Sequence, residues 1–171
     1  MFNDEENQEI LEDVLKNDLD IVFCGIAAGK ESAKQKVYYA GRGNKFWEIL
    51  SEVKLIDKSI NQDNYKDILK HSIGLTDLVK DQFGGEVLIS VKNKDRQQLE
   101  EKILRYKPKI LAFNGKKVAM EYFKSKHVPY GVQKEKIGGT SIFVLPSTSS
   151  MANGSWDIKY WKELASLIKK Y

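Results

Sequence analysis

The chain has 171 residues, 42% of them hydrophobic and 30% charged, which suits one globular domain spanning 1–171 with a core large enough to stand alone. A single cysteine, Cys24, excludes an internal disulfide or a cysteine-cluster metal site, and two histidines far apart, His71 and His127, indicate neither a metal centre nor a Ser/His/Asp triad. The net charge of +4 hides an asymmetry: residues 1–20 hold eight acids against one lysine, so the remaining 151 residues carry +11.

In chain order, Asp4 to Lys16 reads as an amphipathic helix, with Ile10, Leu11, Val14 and Leu15 on one side and an acidic first turn that suits the helix dipole. A strand at 20–24 follows, then a long glycine-punctuated loop, then a helix from about Asn44 through Val53. A helix near 64–71 leads into the short run Ser72 to Asp77 and a polar loop around Gly84-Gly85. Asp95 to Tyr106 is helical by period and stops at Pro108. Lys109 to Phe113 reads as a buried strand, with Asn114 placed to cap a helix reaching Phe123. Gly138-Gly139 forms a hairpin turn before a strand at Ser141 to Leu145, and Asp157 to Tyr171 closes the chain as a helix.

Strands alternating with helices imply an α/β fold of three layers, with a central, mostly parallel sheet of about four to five strands covered on both faces. In such a sheet, function collects beyond the carboxyl ends of the strands. Four loops meet there: Gly25 to Ser32, Thr76-Asp77, Asn114 to Lys116, and Ser147 to Ala152.

The first of these loops, "GIAAGKES", looks at first like a phosphate loop. That motif needs four residues between its glycines and a hydroxyl after the lysine; here three residues separate Gly25 from Gly29, and Glu31 follows Lys30. A carboxylate beside a polyphosphate would repel it. Residues 30–45 carry Lys30, Lys34, Lys36, Arg42 and Lys45 against Glu31 alone, interleaved with Tyr38 and Tyr39. Such a mixture serves a groove for a phosphate backbone with unstacked bases, and serves equally as a solvated lysine-rich loop.

Taken together and in this order, "FCGIAAGKESA", "YYAGRGNKFWEIL", "GLTDLV", "ILAFNGKKVA" and "VLPSTSSMA" resemble the uracil-DNA glycosylase superfamily, in its mismatch-specific Mug and thymine-DNA glycosylase branch. The resemblance implies a monomeric, cytoplasmic, nucleoid-associated enzyme that removes a mismatched or damaged base from DNA without metal or cofactor. By the same resemblance, Gly25, Ile26 and Ala27 wall a base pocket, Tyr39 stacks on the extruded base, and Ser147 reaches its edge. Lys30, Asn44 and Ser149 would contact the DNA, as Thr148 could, and Met151 would fill the gap left in the duplex.

Members of the family commonly read G-I-N-P-G where this chain has Ala27 and Ala28. Their asparagine positions the attacking water, which a methyl group cannot do. Asp77 is therefore the candidate for the chemistry: a carboxylate, ionised at its reference pKa of about 3.9, stabilises a developing sugar cation and takes a proton from water. By itself, Asp77 could equally cap a turn or pair with Lys80. A glycosylase-like module that binds DNA without cutting it, and a small-molecule nucleotide binder, are the alternatives of other classes.

Overall fold

Three runs become strands because their side chains are almost all apolar, with the exceptions, Thr76, Asp77 and Asn114, at the carboxyl ends. Ile21–Gly25 (β1), Ile73–Asp77 (β2) and Ile110–Asn114 (β3) are buried along almost their whole length, as strands covered on both faces must be. The computed structural model, which describes residues 8–149 and 156–168, adds Gly131–Ile137 (β4) and Thr140–Leu145 (β5). These form one five-stranded sheet of order β2-β1-β3-β5-β4. All pairings are parallel except the β4–β5 hairpin.

Alternate residues of each strand feed opposite faces. Ile21 and Phe23, with Ile73, Leu75, Ala112 and Phe143, pack on one side against Phe46–Glu52 (α2), the 3-10 helical segment Gln62–His71 and Lys159–Ile168 (α5). Val22, Cys24, Leu111 and Phe113 pack on the other against Asn93–Tyr106 (α3) and Lys116–Phe123 (α4). The first core is the aromatic one. Phe23 stacks on Trp161 with centroids 5.7 Å apart and meets Phe46 edge-on at 5.3 Å. Burying each such ring stabilises the fold by about 1.5–3 kcal/mol.

The N-terminal helix expected from Asp4 to Lys16 does not form over 8–16; residues 4–7 lie outside the described part. Instead the chain runs along the free edge of β2, where Val14 and Leu75 exchange backbone hydrogen bonds of 2.9 Å in both directions and Ile10 N donates to Lys80 O at 2.7 Å. An open sheet edge presents unpaired backbone groups, and satisfying them outweighs a short helix's own propensity. Gly74 makes the approach possible, since a Cβ there would lie 2.6 Å from Val14 O.

The loop after β1 is not irregular throughout, for it contains a short helix, Lys30–Gln35 (α1), closed by Lys36 in the left-handed conformation. Asn114 does not cap α4; Gly115 is the N-cap, at φ 124°, and makes no side-chain cap bond. The closing helix occupies Lys159–Ile168 of the span expected to reach Tyr171.

Candidate active site

At the carboxyl ends of the strands, neighbouring β1 and β3 send their chains to opposite faces: α1 and α2 lie with the first core, α4 with the second. A crevice opens where adjacent strands diverge in this way. The cleft there has a volume of about 630 Å³ and brings together Gly25, Ile26, Ala27, Lys30, Tyr39, Asn44, Asp77, Ser147 and Ser149. Every site residue expected from the sequence is therefore on its wall, apart from Met151, which lies outside the described residues.

Asp77 ends β2 directly beside Gly25 in the parallel register. Its Oδ1 lies 2.9 Å from where a Cβ on Gly25 would stand, so only glycine leaves room for the carboxylate across the tip of β1. The side chain is almost fully buried, and among the described residues no ion pair reaches it. Lys80, the cation closest to it in sequence, sits 2.8 Å from Asp13 instead. Burial pushes the Asp77 carboxyl up to about 6, against the pull of Lys80 and Lys102 and with a push from Asp13. The expectation of an ordinary carboxylate thus gives way to one that is mostly ionised at pH 7 yet titrates close to neutrality.

Asp13 forms the support behind this corner. Its carboxylate takes Lys80 at 2.8 Å, Lys102 at 2.6 Å and the Thr76 hydroxyl at 2.6 Å. Burial alone would raise its pKa, but the two lysines together hold it below the usual carboxylate value. Lys80 Nζ also donates to the Tyr38 hydroxyl at 3.1 Å, linking the N-terminal strap to the cleft wall.

Tyr39 stands at φ 54°, a conformation that strains any residue with a Cβ. The strain is held by packing: one ring face stacks on Phe46 with centroids 3.8 Å apart and 23° between planes. Its hydroxyl oxygen is buried with no hydrogen bond of good geometry among the described residues, although the Asn114 amide is near enough to favour the phenolate slightly. Burial outweighs that and raises the Tyr39 pKa well above its ordinary value. Asn44 lines the cleft, and its Oδ1 accepts from Phe46 N at 3.0 Å one residue ahead of Lys45, the N-cap of α2. Ser147 Oγ accepts from Ser149 N at 3.1 Å, which folds the loop after β5 into a tight turn.

A family model described as "Uracil DNA glycosylase superfamily" matches residues 12–165. The chain belongs to this superfamily. The fold agrees: the solution NMR structure of a protein from Methanosarcina acetivorans, proposed to be a uracil DNA glycosylase, superposes with a TM-score of 0.61 at 21% identity, covering 94% of this chain and 95% of that one. Among the described residues no helix is long and apolar enough to cross a membrane, and no group of three or more His, Cys, Asp or Glu side chains could hold a metal ion.

The sequence of this glycosylase-superfamily chain placed Asn114, Thr148 and Arg42 near the cleft without showing how they are used there, and gave no sign of Asp13. Asn114 spends its amide on the loop after β5: Nδ2 donates to Thr148 Oγ1 at 2.9 Å, and Thr148 N donates to Asn114 Oδ1 at 3.1 Å. Lys45 N adds a bond to Thr148 O at 3.0 Å. Thr148, a candidate DNA contact by sequence, is 1% exposed and is consumed by this clamp. Arg42, from the basic run at 30–45, lines the same cleft as Lys30 and Glu31 and brings a second cation to it. Asp13 was invisible for a plain reason: its place in an expected solvent-facing helix gave no sign that the strap would carry it to Thr76.

Proposed function

We propose that the protein is a monomeric, monofunctional DNA glycosylase of the mismatch-specific Mug and thymine-DNA glycosylase branch, acting on uracil, foremost opposite guanine and in single strands. The observation that carries the proposal is the Asp77 carboxylate, buried at the tip of β2 against Gly25 on the wall of the cleft. Extruding a base costs a few kcal/mol, least for a mismatch or an unpaired strand, which favours these substrates over normal pairs.

In this reading Tyr39, backed by Phe46, offers its free face to the extruded pyrimidine. The backbone of Ile26 and Ala27 and the hydroxyl of Ser147 meet the base edge, and Lys30, Asn44 and Ser149 hold the neighbouring backbone. The bond between C1′ and the base nitrogen breaks with its electron pair going to the base, and positive charge builds on the sugar. Ionised Asp77 stabilises that charge and accepts a proton from water as the water oxygen bonds to C1′; the departing base anion takes up a proton. A base that titrates near 6 is poised for this role, because it is deprotonated at neutral pH yet basic enough to take the proton.

Ala27 favours a second reading, a module that grips damaged or single-stranded DNA without cutting it, since this position offers no water-binding group. The two part on one assay: duplexes carrying a G:U mismatch are incubated with wild type and with Asp77→Asn, then treated with alkali. Strand scission by wild type, lost in the variant with DNA binding retained, supports the enzyme. Scission by neither supports the binding module, and equal scission by both removes Asp77 from the chemistry.

A further inference from the structure

Five large apolar side chains are exposed among the described residues, and three of them, Phe83, Val87 and Leu88, lie within six positions at 54%, 92% and 76% exposure. They belong to the loop that leaves β2, and Gly84, Gly85, Glu86 and Val87 of the same loop form one lip of the cleft. Exposed apolar groups scattered singly need no partner, whereas a cluster beside a site does.

The loop is braced. Gln82 closes its base by pairing with the Ser90 backbone in both directions, Nε2 to O at 2.8 Å and N to Oε1 at 2.9 Å. Gly84 N donates to Ala28 O at 2.9 Å, which ties the loop to the segment that follows β1. The tip itself is a 3-10 turn, Glu86–Leu88, with Leu88 N donating to Gly85 O at 2.9 Å. Val87 and Leu88 are thus held out on a built turn, with the ordering entropy already spent in the free protein.

We propose that this turn is a second apolar wedge, seated on the base step of duplex DNA next to the extruded nucleotide. The inference rests on the reading of the cleft as a DNA site and extends it with a contact to the duplex. Charge places the occupant: Lys30 and Arg42 on the cleft wall outnumber Glu31 there and suit the singly charged phosphates of a DNA backbone, while the turn offers no cation and carries Glu86, so its apolar tip meets stacked bases rather than phosphates. Apolar side chains between base steps unstack them and steady the bent duplex.

The test uses the whole chain and a duplex with a tetrahydrofuran abasic analogue opposite guanine, flanked by 2-aminopurine, beside the same strand unpaired. The double variant Val87→Ser with Leu88→Ser touches only exposed positions, and its unchanged melting temperature confirms the fold. Wild type is expected to raise 2-aminopurine fluorescence on binding. The variant is expected to lose that rise and to bind the duplex about tenfold more weakly, with single-strand affinity within about twofold of wild type. Unchanged duplex affinity and fluorescence, as a protein-docking role for the patch would give, overturns the wedge, and so does an equal loss on both DNAs. Uracil excision by wild type, measured in parallel, separates the two claims: excision with a silent variant sinks the wedge alone, and a fluorescence rise without excision sinks the enzyme alone.

Discussion

Replacing Asp77 by Asn tests the central corner of the cleft in two independent ways. In the unfolded chain the carboxyl titrates near 3.8, and in the folded protein burial moves it up to about 6. A carboxyl raised on folding holds its proton more tightly in the native state. Its protonated form therefore costs the fold nothing extra at low pH, and stability is lost as pH rises from about 4 to about 6, with no further change above. The full difference is about 3 kcal/mol. An amide in its place carries no charge, so Asp77→Asn is expected to be more stable than wild type at pH 7 by up to about 3 kcal/mol, a rise of roughly 6–10 °C in Tm. Below pH 4 the two should converge. Denaturant titrations at unit pH intervals from 4 to 8 measure this, alongside excision from a G:U duplex, where the variant should fall by at least about 100-fold. A variant that is less stable at pH 7, or that keeps the wild-type fall in stability between pH 4 and 6, would refute the placement of a carboxylate whose burial outweighs the pull of Lys80 and Lys102.

Three further substitutions probe the supports. Asp13→Ala leaves Lys80 and Lys102 facing each other without their anion and is expected to destabilise by about 3 kcal/mol at pH 7, read by chemical denaturation. Because Asp13 titrates below its ordinary value, wild type should lose this contribution only as the pH falls below about 4. Gly25→Ala sets a methyl 2.9 Å from Asp77 Oδ1 and should displace the carboxylate, lowering excision by about tenfold or more with little change in Tm. Asn114→Ala removes both bonds to Thr148, at a cost of about 1–3 kcal/mol in stability, and should lower excision more than Asn114→Asp, which keeps the acceptor for Thr148 N.

How far the site could be read in advance depended on where each side chain finds its partners. The sheet was legible because β1, β2, β3 and β5 are short apolar runs that only burial on both faces explains, and β/α alternation then places their tips on one edge. Gly25, Asp77 and Ser147 lie at or just past the ends of such runs, so strand direction places them at one edge of the sheet, while the family resemblance supplied the roles expected of them there. The N-terminal segment was misread because its helical spacing is a local signal, while the free edge of β2 that captured it exists only once the sheet is assembled. Asn114 was misread likewise: as a residue before a helix it suits a cap, but Thr148, 34 positions later, offers its amide two partners at once.

The raised pKa of Asp77 and the Asp13 network lie wholly on the tertiary side. A sequence determines which groups can ionise and roughly which strand end carries them. Only the packed molecule decides how much water they keep and which charges stand beside them, because desolvation and Coulomb energy depend on distances that the chain sets by folding.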